Sequence, residues 1–245
     1  MKSILSKNIR VNRLGKKKKK NKKNHNEVEV MTEEEYFGFD FIAGFTSGGV
    51  PFGITSEEAD ENEKEMDEGL HLRMFTLDDA EEFYNLTVES KTFLKEWLGW
   101  LDNINSVEDT VKNIQARFTE VTDNKGYPKS FAIIHKGQIV GTIGYNTIDD
   151  RNRVGVIGYW IGKKYKGKGI MSQSFKAIID YGFNVLDLNR IEVRVAVENI
   201  KSRALPERFL FHHEGIIRDA EWLYDHYVDH AVYSLLKVEW EERIN

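Results

Sequence analysis

The run Ile157-Gly158-Tyr159-Trp160-Ile161-Gly162-Lys163-Lys164-Tyr165-Lys166-Gly167-Lys168-Gly169-Ile170-Met171 constrains this chain more than any other segment. An apolar stretch of strand character runs into a glycine-lysine loop, and a helical pattern starts near Lys168 directly behind it. Gly167 and Gly169 admit backbone angles that other residues resist, so successive N–H groups can converge on an anion at the helix start. Lys164, Lys166 and Lys168 add diffuse positive charge. The loop therefore predicts a phosphate site without naming the ligand. A Walker loop needs Ser or Thr after its Gly-Lys, and Lys168 is followed by Gly169. Gly167-Lys168-Gly169-Ile170-Met171-Ser172, with Glu192 further on, approaches a dinucleotide fingerprint. That fold would put the loop after its first strand, whereas several strands precede it here.

Composition narrows the setting. The 245 residues hold one or two domains, and 40% hydrophobic with 12% aromatic content supplies a sizeable core. No apolar run approaches the roughly 18 residues of a membrane span, and the first residues lack the apolar core of a signal peptide. With no cysteine, disulfides, thiolate metal sites and cysteine nucleophiles are excluded, and a cytoplasmic location is the expectation.

The net charge of −5 hides a segregation along the chain. Residues 1–30 carry eleven Lys or Arg against Glu27 and Glu29, which predicts a disordered basic tail able to approach a polyanion or simply to solubilise. Residues 31–69 read as an accessory segment or acidic linker: Tyr36–Phe45 is aromatic and glycine-rich, Thr46–Ile54 reads as turns, and Glu57–Glu68 is acidic.

From Leu70 the pattern is globular. Leu70–Phe75 alternates as a strand, and Thr76 and Ser106 each open a helix, to about Glu89 and Val121. Trp97 and Trp100 would share a face on a helix, either as a core-facing pair or as the wall of a pocket. Strands are expected over Ser130–His135, Gln138–Ile148, Val154–Ile161, Ile191–Val197, Gly215–Tyr224 and Tyr227–Leu236. Helices fill Lys168–Leu186 and Ile200–Phe211. Hairpins at both ends with helices between indicate one α+β domain, residues 70–242, built on a mixed sheet flanked by helices. Among the histidines, His212, His213, His226 and His230 share no spacing suited to zinc, so no metal is expected.

This order of elements, with Lys164-Tyr165-Lys166-Gly167-Lys168-Gly169 in the position of an Arg/Gln-x-x-Gly-x-Gly/Ala signature, resembles the GNAT acyltransferases over about residues 70–240. The segments Asn189–Ala204 and Asp219–His230 look like the RimJ/RimL branch, which acetylates N-terminal amines of ribosomal proteins. The resemblance implies a mostly antiparallel GNAT sheet and acetyl-CoA as co-substrate. It implies that the pyrophosphate rests on the N–H groups of Lys166, Gly167, Lys168, Gly169, Ile170 and Met171. The backbone around Tyr159, Trp160 and Ile161 would pair with the pantetheine amides, and Asn199 would contact the same arm or serve only as an N-cap. Glu221 matches the family's base and Ser202 its acid for the CoA sulfur.

The implied acceptor is a ribosomal protein N-terminus. Polyamines, amino sugars, aminoglycosides and a non-enzymatic CoA-binding role are the alternatives, with monomer or homodimer left open. Two departures from the family pattern carry consequences. Leu210 replaces the usual glycine at a helix end, costing on the order of 1 kcal/mol if it must be left-handed. Pro206 cannot donate to the carbonyl of Ser202, which would leave that oxygen to hold a water near the CoA sulfur.

Overall fold

A computed structural model of the protein describes residues 41–45, 51–54, 69–124 and 126–244. The basic segment 1–30 and the acidic run before Gly69 lie outside the described residues. Strands β1 (Phe41–Phe45) and β2 (Pro51–Ile54) pair antiparallel, so the end of the stretch expected to be turns is a strand. A proline opening a strand needs no ladder donor, which reconciles Pro51 with β2.

The main sheet begins with β3 (Leu70–Arg73), whose alternate residues are buried. Arg73 forks onto the Asp79 carboxylate at 2.6 and 2.7 Å, and that carboxylate also accepts the Thr76 N–H at 2.7 Å. One acid thus closes the turn that launches α1 (Ala80–Leu94). Helix α2 (Val107–Asp123) starts the same way, with Ser106 Oγ accepting the Asp109 N–H. Strands β4 (Ser130–His135) and β5 (Gln138–Asp149) turn at Lys136-Gly137, both at positive φ, as the tight hairpin expected there requires.

Strand β6 (Val154–Ile161), helix α3 (Ile170–Asn184), β7 (Arg190–Ala196) and α4 (Ile200–Arg208) follow. The β8–β9 hairpin (His212–Leu223 and His226–Leu236) and α5 (Lys237–Ile244) complete the domain. The sheet order is β3-β4-β5-β6-β7-β9-β8, antiparallel except for β6 beside β7. One parallel pair in an otherwise antiparallel sheet disposes of the dinucleotide fold, and Glu192 ion-pairs with Arg190 and Arg194 instead.

The sheet buries both faces. Phe131, Tyr145 and Tyr159 pack on α3: Phe131 meets Tyr181 edge-on, the Tyr145 hydroxyl donates to Ile178 O at 2.8 Å, and Tyr159 meets Phe175 edge-on. The opposite face carries Thr142 and Trp160 beneath α1 and α2, with Trp160 stacked on Phe83 at 5.4 Å. The unanticipated α5 docks through Trp240, whose Nε1 donates to Asp180 at 2.7 Å.

Three local expectations are corrected. Helix α1 runs past Glu89 to Leu94 and stops there, so Trp97 and Trp100 stand in turns and not on a helix. The Lys95–Asp102 ion pair at 2.7 Å and the Tyr224 hydroxyl, donating to Leu98 O at 2.7 Å, draw that segment towards the β8–β9 hairpin. Helix α4 ends at Arg208, three residues early, because the Leu210 N–H bonds Glu207 O and the Phe211 N–H bonds Pro206 O. Those two bonds are a Schellman ending with Leu210 at φ 55°. The Ser202 carbonyl accepts the Tyr159 hydroxyl at 2.9 Å, which overturns the water proposed for it.

Replacing Leu210, which is 67% exposed, by Gly should raise stability by about 1 kcal/mol in urea unfolding. Burial alone would raise the Asp79 pKa, but the Arg73 fork and the Thr76 bond outweigh it and hold the group below its ordinary value. A depressed carboxylate contributes stability above its unfolded pKa and loses it as pH falls through the folded value. Asp79→Asn should therefore cost about 2 kcal/mol at pH 7, with the gap from the parent closing below about pH 4.

Candidate active site

The site originates where two neighbouring strands part. Strands β6 and β7 pair in parallel from Val154–Arg190 to Ile157–Val193 and no further. Beyond that point β6 continues against β5, reaching Ile161–Gly141, while β7 continues against β9 as far as Ala196–His230. The ends of β6 and β7 therefore diverge and leave a wedge between Gly158–Ile161 and Arg194–Ala196. The Gly162 N–H bonds Val140 O, which fixes the phase of the β5–β6 ladder. By alternation Trp160 exchanges its backbone bonds with Thr142, and the backbone groups of Tyr159 and Ile161 turn into the wedge. Of the three β6 residues expected to offer backbone groups, Trp160 contributes its ring instead.

The glycine loop stands at the mouth of the wedge. Gly167 and Gly169 have φ 75° and 78°, and Gly169 is the N-cap of α3. The first helical donors are Ser172 and Gln173, both to Gly169 O, so the preceding amides of Ile170 and Met171 lie outside the helical ladder. A Cβ on Gly167 would meet nothing within 4 Å, so the loop is open at that point. The lysines are held apart by different partners. Lys164 pairs with Glu89 at 3.1 Å, and the Lys166 ammonium lies 3.7 Å above the Phe93 ring. Desolvation, reinforced by Lys201 and Lys163, pulls the Lys166 pKa down. Lys163 and Lys201 thus add further positive charge around Lys166 beside the loop.

Helix α4 closes the other side. Its N-cap Asn199 accepts the Ser202 N–H through Oδ1 at 3.2 Å, so the capping role is real and leaves Nδ2 separate. Ser202 lies half-buried in the first turn, with its carbonyl tied to Tyr159. Burial pushes the Tyr159 hydroxyl pKa up, so it stays a protonated donor.

Glu221 approaches from β8. The β8–β9 register slips between Ile217 and Glu221, with Asp219 at φ 49° and its N–H bonded to Asp229 Oδ1. This irregularity brings Glu221 Oε2 to 3.1 Å from His230 Nε2. The sequence singled out His230 among four histidines but not its pairing with Glu221, which exists only once the bulge has re-aimed the strand. His226 bonds Asp225 at 2.7 Å at the hairpin tip, outside the lining of the wedge.

The glycine loop, the wedge, Asn199, Ser202, Glu221 and His230 line one continuous cleft of about 1570 Å³. Trp97 and Trp100 line it too, and Trp100 stands 6.3 Å from Trp160 with 37% exposure. The tryptophan pair is therefore a wall of the cleft. No group of His, Asp or Glu suited to a metal occurs among the described residues.

Comparisons with known proteins agree with this architecture. Residues 69–212 match the family model described as an acetyltransferase (GNAT) domain. The chain is 34% identical over 177 residues to the putative ribosomal N-acetyltransferase YdaF of Bacillus subtilis (strain 168), covering 72% of this chain and 96% of that protein. It is 32% identical over 167 residues to the ribosomal-protein-serine acetyltransferase of Escherichia coli (strain K12), covering 68% of this chain and 92% of the relative. Among solved structures, RimL, a ribosomal L7/L12 alpha-N-protein acetyltransferase in complex with coenzyme A, superposes with a TM-score of 0.65 at 29% identity. That match covers 68% of this chain and 93% of the other. With a family model spanning residues 69–212 and a relative 34% identical over 72% of this chain, the protein belongs to the GNAT acetyltransferases, which draw their acetyl group from acetyl-CoA.

Proposed function

We propose that the protein acetylates the N-terminal α-amine of a ribosomal protein by direct attack in a ternary complex. The observation that carries this reading is the Glu221–His230 pair, at 3.1 Å, on the same cleft as the glycine loop and the diverging strands. At about 1570 Å³ the cleft exceeds the roughly 300–1,000 Å³ usual for one small ligand, as a site for cofactor plus polypeptide end would. The relatives named for ribosomal N-acetylation support a protein amine over polyamines, amino sugars or aminoglycosides.

The residues divide the work as follows. Amides of Lys166 through Met171 hold the pyrophosphate, and Gly167 and Gly169 let them converge. Backbone groups of Tyr159 and Ile161 hold the pantetheine arm as an added strand, and Asn199 Nδ2 reaches it from α4. Acetyl-CoA, when bound, supplies a thioester carbonyl to the attacking amine. An N–H in the wedge stabilises charge developing on the carbonyl oxygen. Glu221, held by His230, accepts the proton of an amine whose ordinary pKa is roughly 8, directly or through water. Ser202 returns a proton to the departing sulfur.

Glu221→Gln should lower kcat by roughly 10² with little change in acetyl-CoA KM, and Ser202→Ala should lower kcat by about tenfold or more. Parent-like kcat for Glu221→Gln at saturating peptide removes that role. Gly169→Val forces a β-branched residue to φ 78° and should weaken CoA binding measured by calorimetry while leaving the peptide site intact. Mass spectrometry of ribosomal proteins incubated with enzyme and acetyl-CoA tests the acceptor. A +42 Da label on an N-terminal fragment is expected, whereas turnover of small amines alone overturns the protein acceptor.

A further inference from the structure

One face of α2 presents to the cleft a cation that has no ion-pair partner among the described residues. Thr110, Asn113 and Arg117 follow one another at helical spacing, and all three line the cleft. Arg117 lies with its guanidinium 4.6 Å from the Phe75 ring centroid and 5.8 Å from that of Phe83. Its Nε donates to Asn113 Oδ1 at 3.2 Å, and its Nη1 donates to Ser130 Oγ at 2.9 Å and to Thr142 Oγ1 at 3.3 Å. All three acceptors are neutral. Among the described residues no carboxylate forms an ion pair with Arg117, and Glu120 on the next turn acts on it only through space. Desolvation pulls the Arg117 pKa down to about 10, which still leaves it charged at neutral pH.

A guanidinium has five N–H donors, and the two on Nη2 make no bond among the described residues. Arg117 is half-buried on the cleft wall, and a partly desolvated cation with free donors gains from an anion that brings its own lone pairs. The site also lies close to the proposed chemistry. Thr142 pairs with Trp160 across β5–β6, and Trp160 stacks on the same Phe83 that Arg117 covers.

We infer that Arg117 is a specificity site for a carboxylate carried by the amine acceptor. For a polypeptide acceptor this is an aspartate or glutamate side chain within the first few residues after the acetylated amine. The inference rests on the amine-acetylation reading and adds which amines the cleft selects. The forked guanidinium meets a planar carboxylate through two parallel bonds, and an uncharged amide of the same shape gains much less.

The test uses peptides identical except for Asp or Asn at positions two and three, with kcat/KM read by CoA release and affinity read by calorimetry on the CoA-loaded protein. The parent should favour the Asp peptide by about tenfold or more in both readouts. Arg117→Met, which keeps an apolar stem against Phe75 and Phe83, should bring the ratio near one while the Asn peptide keeps its parent kcat. A parent ratio near one, or a ratio unchanged in a folded Arg117→Met protein, overturns the proposal. Binding that favours Asp in the absence of turnover keeps the specificity site and removes the acetylation reading instead.

Discussion

The separation of β6 from β7 after Ile157 and Val193 is the constraint on which the rest of the site depends. A sheet satisfies its backbone donors and acceptors through its neighbours, so a strand that loses one neighbour in mid-course leaves polar groups facing a gap. Strand β6 keeps β5 on one side throughout, and β7 transfers its free side to β9. Each strand stays anchored while the space between them opens. The Tyr159 hydroxyl, bonded to Ser202 O, ties the strand on one side of the gap to the helix on the other. The wedge is thus held open by specific bonds, and a ligand with amides along its length satisfies it as a missing strand would.

Charge and aromatic surface then divide the cleft into two ends. Lysines and helix amides surround the glycine loop, with Lys164 drawn to Glu89, Lys166 to the Phe93 ring and Lys168 to the Tyr165 ring. At the other end Phe83, Trp97, Trp100 and Trp160 form an apolar wall interrupted by Glu221, His230 and Arg117. Water excluded by such a wall strengthens every polar contact made within it, which favours the proton transfer and acceptor recognition proposed for that end.

Much of this was legible from residue pattern. The β6 boundaries, the hairpin at Lys136-Gly137 and the glycine loop follow from alternation, glycine placement and the helix start behind it. The fates of individual atoms were not. Pro206 correctly announced a freed carbonyl at Ser202, but only the three-dimensional arrangement brings Tyr159, 43 residues away in sequence, to occupy it. The Glu221–His230 pair depends on a slipped register that no spacing rule encodes. Trp97 and Trp100 looked like neighbours on a helix because their spacing fits one, yet α1 ends at Leu94 and the turns that follow are tied by Tyr224 to Leu98 O and by the Lys95–Asp102 pair. Leu210 shows the reverse case: the missing glycine was read as a strained helix end, and Leu210 does adopt φ 55° there, with Arg243 donating to the Phe209 and Leu210 carbonyls.

The central claim is that the gap between β6 and β7 and the amides before α3 together bind acetyl-CoA. Amide hydrogen exchange of the full-length protein with and without acetyl-CoA tests it most directly. Slower exchange confined to the amides of Tyr159, Ile161 and Gly167–Met171, with the paired amides of Ile143 and Val193 unchanged, is the predicted result. Binding without protection in these two segments, or protection centred on another part of the sheet, would contradict it.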